Sequence, residues 1–217
     1  MRNSRGEIWL NVGSGPRLLV DFVNLDSNWL VFFVPFYRVL KPFLKRGARD
    51  WIETYREQRK VARFQFTNCS RPLRTKRASI DHILASHFLE HLFHADAERV
   101  VRGFHDALKP GGTLHVIVPD FEWAVRKYMG EVGTPGAASA ALQWSHWGPE
   151  ARPAIWRRIL NATGIFDTGY HLWMYDRAST IELLERAGFK VLEQNETPSA
   201  DWLADQSWQV SIAARKV

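Results

Sequence analysis

Two short segments of this 217-residue chain carry residue types that could hold a nucleotide-like ligand, and a scattered set of histidines could move a proton. Gly13-Ser14-Gly15 directly follows the apolar run Ile8–Val12. Glycines at the end of a buried strand let the backbone turn tightly and approach a ligand with no Cβ in the way. Asp26 closes the next apolar run, Leu19–Leu25. A carboxylate at a strand end can accept hydrogen bonds from both hydroxyls of a ribose, although a turn or an N-cap would also use an aspartate there. A nicotinamide enzyme would call for a third glycine opening a helix. Here that glycine is absent, and only about ten residues separate the loop from Asp26, too few for a full crossover helix.

Eight histidines are present. His82, His94, His105 and His115 fall on expected strands or helices with no companion residue and read as structural. His87, His146 and His171 fall in expected loops near the ligand edge, and an imidazole there suits a general base. Asp120, just past an expected strand, is a further base or a partner for a histidine; its other reading is the N-cap of the next helix. Each of the four, taken singly, also has a purely structural reading. His87, Asp120, His146 and His171 are chemically able to ligate a metal, but no fixed spacing links them, and no metal is expected.

The elements that would position these residues alternate in type. Strands are expected at Ile8–Val12, Leu19–Leu25, Val61–Phe66, Ile80–Ala85, Leu114–Val118, Lys190–Gln194 and Gln209–Ala214. Helical patterns occupy Asn28–Lys60 (interrupted by Pro35, Pro42 and Gly47), the stretch through His91, Ala95–Leu108, Phe121–Met129 and Arg177–Ala187. Leu114–Val118 is apolar on both faces, as a central parallel strand must be. The order implies a doubly wound, Rossmann-like α/β domain with a mostly parallel sheet, whose ligands bind beyond the carboxyl ends of the strands. One domain over residues 1–217 is expected, with a Gly-, Ala-, Pro- and Trp-rich insertion at about 130–168 serving as an acceptor lid. Trp144, Trp147, Trp156 and Trp173 crowd that region and could close over a ligand.

Composition narrows the classes. A hydrophobic content of 46% with 24% charged residues fits a globular chain. The net charge of +6 comes partly from the Lys- and Arg-rich stretch Lys41–Arg77, read as a solvated basic face in preference to a nucleic-acid surface. The single cysteine, Cys69, excludes an intramolecular disulfide and a cysteine zinc cluster, and suits a reducing compartment, so a cytoplasmic location is expected. The longest apolar stretch, Trp29–Leu40, is broken by Pro35 and Arg38 and too short to span a bilayer. It is expected to pack in the core or against a partner rather than to anchor the chain in a membrane.

LNVGSG, VNLD, ASHFLEHL, LKPGGTLHVIVPD and HLWMYD…LLERAGF, taken in this order, resemble the class I S-adenosylmethionine-dependent methyltransferases, in particular the methyltransferase-11-like type that often accompanies polysaccharide synthesis. That resemblance covers nearly the whole chain and includes a short first crossover. It implies S-adenosyl-L-methionine as cofactor, with Gly13, Ser14 and Gly15 against its methionine part and Asp26 on its ribose. Asn68, through its carbonyl, and Cys69 would flank the adenine, while Ser86 and His87 would face the methyl-transfer region. The implied activity is O-methylation of a small-molecule hydroxyl, a saccharide being the preferred acceptor class. A nucleic-acid methyltransferase and a non-catalytic cofactor-binding partner protein remain as alternatives. A homodimer is compatible with this reading.

Overall fold

The computed structural model describes residues 3–138, 171–192 and 207–217. Short apolar runs become the strands β1 (Trp9–Val12), β2 (Val23–Asp26), β3 (Arg63–Phe66), β4 (Ile80–Ser86), β5 (Leu108–Pro119), β6 (Phe189–Val191) and β7 (Gln209–Lys216). They form one sheet in the order β3-β2-β1-β4-β5-β7-β6. β1 to β5 pair in parallel, whereas β7 runs antiparallel to both β5 and β6. The α/β, mostly parallel expectation therefore holds, with β7 the one reversed strand among the described residues. β5 is central and dry: Leu114, Val116, Ile117 and Val118 are all buried.

Helices cover the sheet through regular apolar stripes. α3 (His94–Ala107) buries Ala97, Val100, Val101, Phe104 and Ala107, a spacing that turns one face to the sheet. The others are α1 (Tyr37–Leu40), α2 (Arg46–Gln58), α4 (Phe121–Gly130) and α5 (Arg177–Arg186). Asp176 caps α5 in a capping box with Ser179, which holds its carboxyl below the usual range.

The structure departs from the sequence expectation at three places. β2 begins at Val23, not Leu19, because Asn24 folds residues 19–22 into a turn. Its side chain accepts from the Leu19 N–H (2.8 Å) and from Asn11 Nδ2 (2.9 Å), and donates to the carbonyls of Leu19, Phe22 and Arg63. β5 starts at Leu108, not Leu114, because Lys109–Gly112 form its entry, where pairing jumps from Ile80↔Leu108 to His82↔Thr113. The third concerns residues 29–44. The 3-10 helix Trp29–Phe36 contains no buried residue, and Phe32, Phe36, Val39 and Phe43 are 60–83% exposed. Val31 and Val34 pack beside the buried Leu18, Tyr55 and Ala62, and Tyr37 is buried, so the segment lies against the protein on one side only, the prolines splitting it into turns too short to present one apolar stripe. Among the described residues no helix is long and apolar enough to cross a membrane.

Asn24 is fully buried and joins β1, the 19–22 turn and β3. Asn24→Ala leaves several buried donors and acceptors without partners, so it should lower the unfolding free energy by roughly 3–5 kcal/mol. Chemical denaturation measures this. A loss below about 1 kcal/mol would mean that water replaces the amide in full.

Candidate functional site

Parallel pairing in register brings the carboxyl ends of β1 to β5 to one edge: Val12 beside Leu25 and Ala85, Asp26 beside Phe66, Ser86 beside Ile117. The chain order reverses between β1 and β4, and a ligand crevice belongs at such a switch point. The two loops that meet there are the ones following Val12 and Ser86.

Gly13 (φ +69°) and Gly15 (φ +54°) both take left-handed backbone. A Cβ on Gly13 would stand 2.6 Å from the Phe88 ring, so glycine is what allows the switch-point loops to touch. Around the Cβ position of Gly15 there is open space, which leaves that turn accessible to a ligand. The N–H groups of Gly13 and Ser14 both donate to the Leu25 carbonyl. Asp26 accepts from the Gly15 N–H (2.8 Å) and the Asn28 N–H (2.6 Å). A carboxylate offers about four acceptor sites, and these two donors fix its orientation at the mouth of the glycine loop.

Beyond β3, Asn68 Oδ1 accepts from both the N–H (3.0 Å) and the hydroxyl (2.6 Å) of Ser70. That oxygen, expected to meet an adenine amino group, is thus engaged in a local turn. Cys69 is buried against the loop, and burial pushes its thiol up to about 12, so it is a neutral, core-like sulfur. A cleft of ≈ 550 Å³ runs beneath the β3–β4 crossover, lined by residues such as Leu10, Leu25, Gln65, Asn68 and Leu73. Of the predicted cofactor residues it includes Asn68 alone, so it is distinct from the crevice at the switch point.

Two of the residues expected to handle a proton, His87 and His171, meet at the end of β4. His87 has left-handed backbone (φ +49°), uncommon for a residue with a side chain and typical of functional loops. Its Nε2 lies 3.1 Å from Gln209 Oε1, and its Nδ1 3.3 Å from Glu90 Oε1. Trp208 packs on its ring, because the reversed strand β7 starts at this edge. Burial pulls the His87 pKa down, but Glu90 and Gln209 outweigh it and the net shift is upward.

Glu90 is 1% exposed, and beyond the 3.3 Å approach of His87 Nδ1 to Oε1 its carboxylate has no polar partner among the described residues. Its backbone carbonyl accepts from Leu172 (2.7 Å) and Trp173 (3.2 Å), which straps the segment carrying His171 onto the 3-10 turn Leu89–His91. The His171 and His91 rings lie 5.2 Å apart, and His171 is buried. Tyr175, at the end of the strap, is buried, and burial followed by Glu90 raises its pKa.

Of the predicted proton acceptors, His87 and His171 are therefore brought to one cluster. Asp120 caps α4 through the Glu122 N–H (2.9 Å) and bonds to no histidine among the described residues. His146 lies outside the described residues, as does the insertion at 139–168 with Trp144, Trp147 and Trp156. Trp173 stacks on His94 instead. His82 and His115 bond to Thr113 and Ser211, in keeping with structural roles. Sequence reasoning passed over Glu90 and His91 as site residues; their spacing after His87, H-x-x-E-H, was the available signal.

A family model described as a methyltransferase domain matches residues 2–194. Several solved structures share the fold. An S-adenosylmethionine-dependent methyltransferase from Mesorhizobium loti superposes with a TM-score of 0.52 at 15% identity, covering 97% of this chain and 91% of that one. One from Methanosarcina mazei gives 0.50 at 15% identity, covering 97% and 92%. A methyltransferase solved in complex with the Haloferax volcanii Trm112 methyltransferase activator gives 0.50 at 14% identity, covering 97% and 82%. No curated protein matches the sequence.

Proposed function

We propose that this chain, which belongs to the methyltransferase-domain family and has S-adenosylmethionine as its cofactor, methylates a hydroxyl oxygen of a small-molecule acceptor, a saccharide. The residues at the switch point fit that cofactor. The space over Gly15 admits an extended chain close to the backbone, and Asp26 stands at the same mouth, oriented to accept from a ribose diol. The Asn68 amide can donate to a ring nitrogen of the base.

The observation that carries the hydroxyl reading is the cluster His87, Glu90, His91 and His171, adjoining the cofactor loop through Phe88. Bound cofactor supplies an electrophilic methyl carbon on a sulfonium. For transfer, the acceptor O–H bond must break, a C–O bond form and the C–S bond break with its electron pair going to sulfur. An amine or a thiolate manages this with little help, whereas an alcohol needs its proton taken. Two partly exposed imidazoles and a buried one beside a buried carboxylate suit acceptance of that proton and are more than alignment alone requires. The Trp-rich composition of residues 144–173 suits stacking against sugar rings. The neutral, buried Cys69 accords with a cytoplasmic location.

Incubation with isotope-labelled S-adenosylmethionine and a panel of saccharides, read by mass spectrometry, tests the reading. A methyl ether on a sugar hydroxyl is the expected product. Label appearing only in amines or in nucleic acid would overturn it.

A further inference from the structure

We propose that Glu90, His91 and His171 form a binding site for one first-row divalent transition-metal ion, placed where the acceptor hydroxyl meets the histidine cluster. A ligand atom from each of the three lies within 4.8 Å of the other two. An ion bound at about 2.0–2.2 Å holds its donors roughly 3–4 Å apart, so small side-chain adjustments close the set. One observation asks for a cation there. The Glu90 carboxylate is 1% exposed, its Oε2 has no hydrogen-bond partner among the described residues and its Oε1 has only the 3.3 Å approach of His87 Nδ1, and a carboxylate so placed is costly to ionise unless positive charge surrounds it. His87 Nδ1, 3.3 Å from Oε1, serves one oxygen only. A cation serves the whole group.

The scaffold gives the site its second requirement, rigid support from two separate segments. Glu90 and His91 belong to the 3-10 turn after β4, and His171 is strapped over them by the Leu172 and Trp173 N–H groups on the Glu90 carbonyl. His87, itself anchored by Gln209, stands behind Glu90 as an orienting partner.

Two imidazoles and one carboxylate select the class of ion. Hard Mg²⁺ and Ca²⁺ prefer all-oxygen sites, whereas zinc, cobalt, manganese and non-haem iron take sets of two histidines and one carboxylate and keep positions open. An ion with an open position polarises an alcohol and lowers its pKa, which is what an oxygen acceptor needs. That role rests on the hydroxyl reading above; the binding site does not.

The test uses untagged chain stripped with chelator and titrated with Co²⁺, whose visible absorption reports its ligands, with Zn²⁺ as competitor. Wild type should bind one Co²⁺ per chain, displaced by Zn²⁺ and unaffected by excess Mg²⁺. Glu90→Gln keeps the side-chain shape, and it and His171→Ala should each weaken Co²⁺ binding at least about tenfold while S-adenosylmethionine still binds. His105→Gln, on a distant helix, should bind as wild type. Should Glu90→Gln fail to fold, His91→Ala at the half-exposed position carries the same expectation. The proposal is overturned if wild type takes up no Co²⁺, or if the cluster variants bind as well as wild type does. Methylation of a sugar hydroxyl undiminished in chelator would overturn the ion's role and leave the acceptor reading intact. Tight Co²⁺ binding by a chain that methylates only amines would overturn the acceptor reading, and the ion's role with it, and leave the binding site intact.

Discussion

His171→Ala should cut turnover of the acceptor by roughly 10²–10⁴-fold while leaving S-adenosylmethionine affinity nearly unchanged. The two effects separate because they come from different loops. The crevice contacts expected for the cofactor are built by Gly13–Gly15, Asp26 and residues 68–69, on β1 to β3. His171 arrives from a strap that crosses the edge beyond β4 and is buried beside His91 and Glu90. Removing the imidazole takes away either the proton acceptor or the third donor to an ion, and an alcohol acceptor suffers in both cases. Single-turnover rates with the true acceptor, set against calorimetric cofactor binding, measure the split. Nearly full turnover would move the proton acceptor to His87, His146 or Asp120. Loss of cofactor binding would place His171 in the cofactor pocket.

What the sequence reveals about this molecule follows from how local each signal is. β1, β4 and β5 were legible because buried parallel strands must be apolar on both faces, and because Gly13-Ser14-Gly15 and Asp26 sit directly at strand ends. The early start assigned to β2 failed because Val20 and Phe22 look like strand residues. Nothing local reveals that the Asn24 amide, two to five positions on, would hold them in a turn.

The apolar run at 29–44 packs only in part, for a related reason. Hydrophobicity suggests burial, but only a periodic stripe places residues against a core, and the prolines deny it one. The histidine cluster was half legible. His87 and His171 were reached by asking which histidines lie in loops at the ligand edge. Nothing local marks Glu90 as buried, since its carbonyl is covered by a strap about eighty residues away.

The glycine loop yields the other large effect. Gly13→Ala should abolish measurable S-adenosylmethionine binding and lower stability by roughly 2–4 kcal/mol. Two costs act together. A left-handed residue with a side chain costs about 1–2 kcal/mol, and the new methyl group would have to displace Phe88, whose side-chain atoms lie 2.6–2.9 Å from where it would stand. Phe88 sits between His87 and the buried Leu89, so it can retreat only by moving the loop that carries the histidine cluster. Shifting either loop disturbs the Gly13 and Ser14 N–H bonds to Leu25 and the Gly15 N–H bond that orients Asp26.

Asp26→Ala provides the comparison. It introduces no clash and deletes the carboxylate that the Gly15 and Asn28 N–H groups hold toward the ribose, so the expected loss is the two ribose hydrogen bonds, roughly 5–150-fold in cofactor affinity. Calorimetry on the two variants, with thermal unfolding alongside, measures both quantities. If Gly13→Ala binds cofactor as well as Asp26→Ala and unfolds at the wild-type temperature, the contact with Phe88 is easily relieved. The close approach of the two switch-point loops would then have no part in shaping the cofactor crevice.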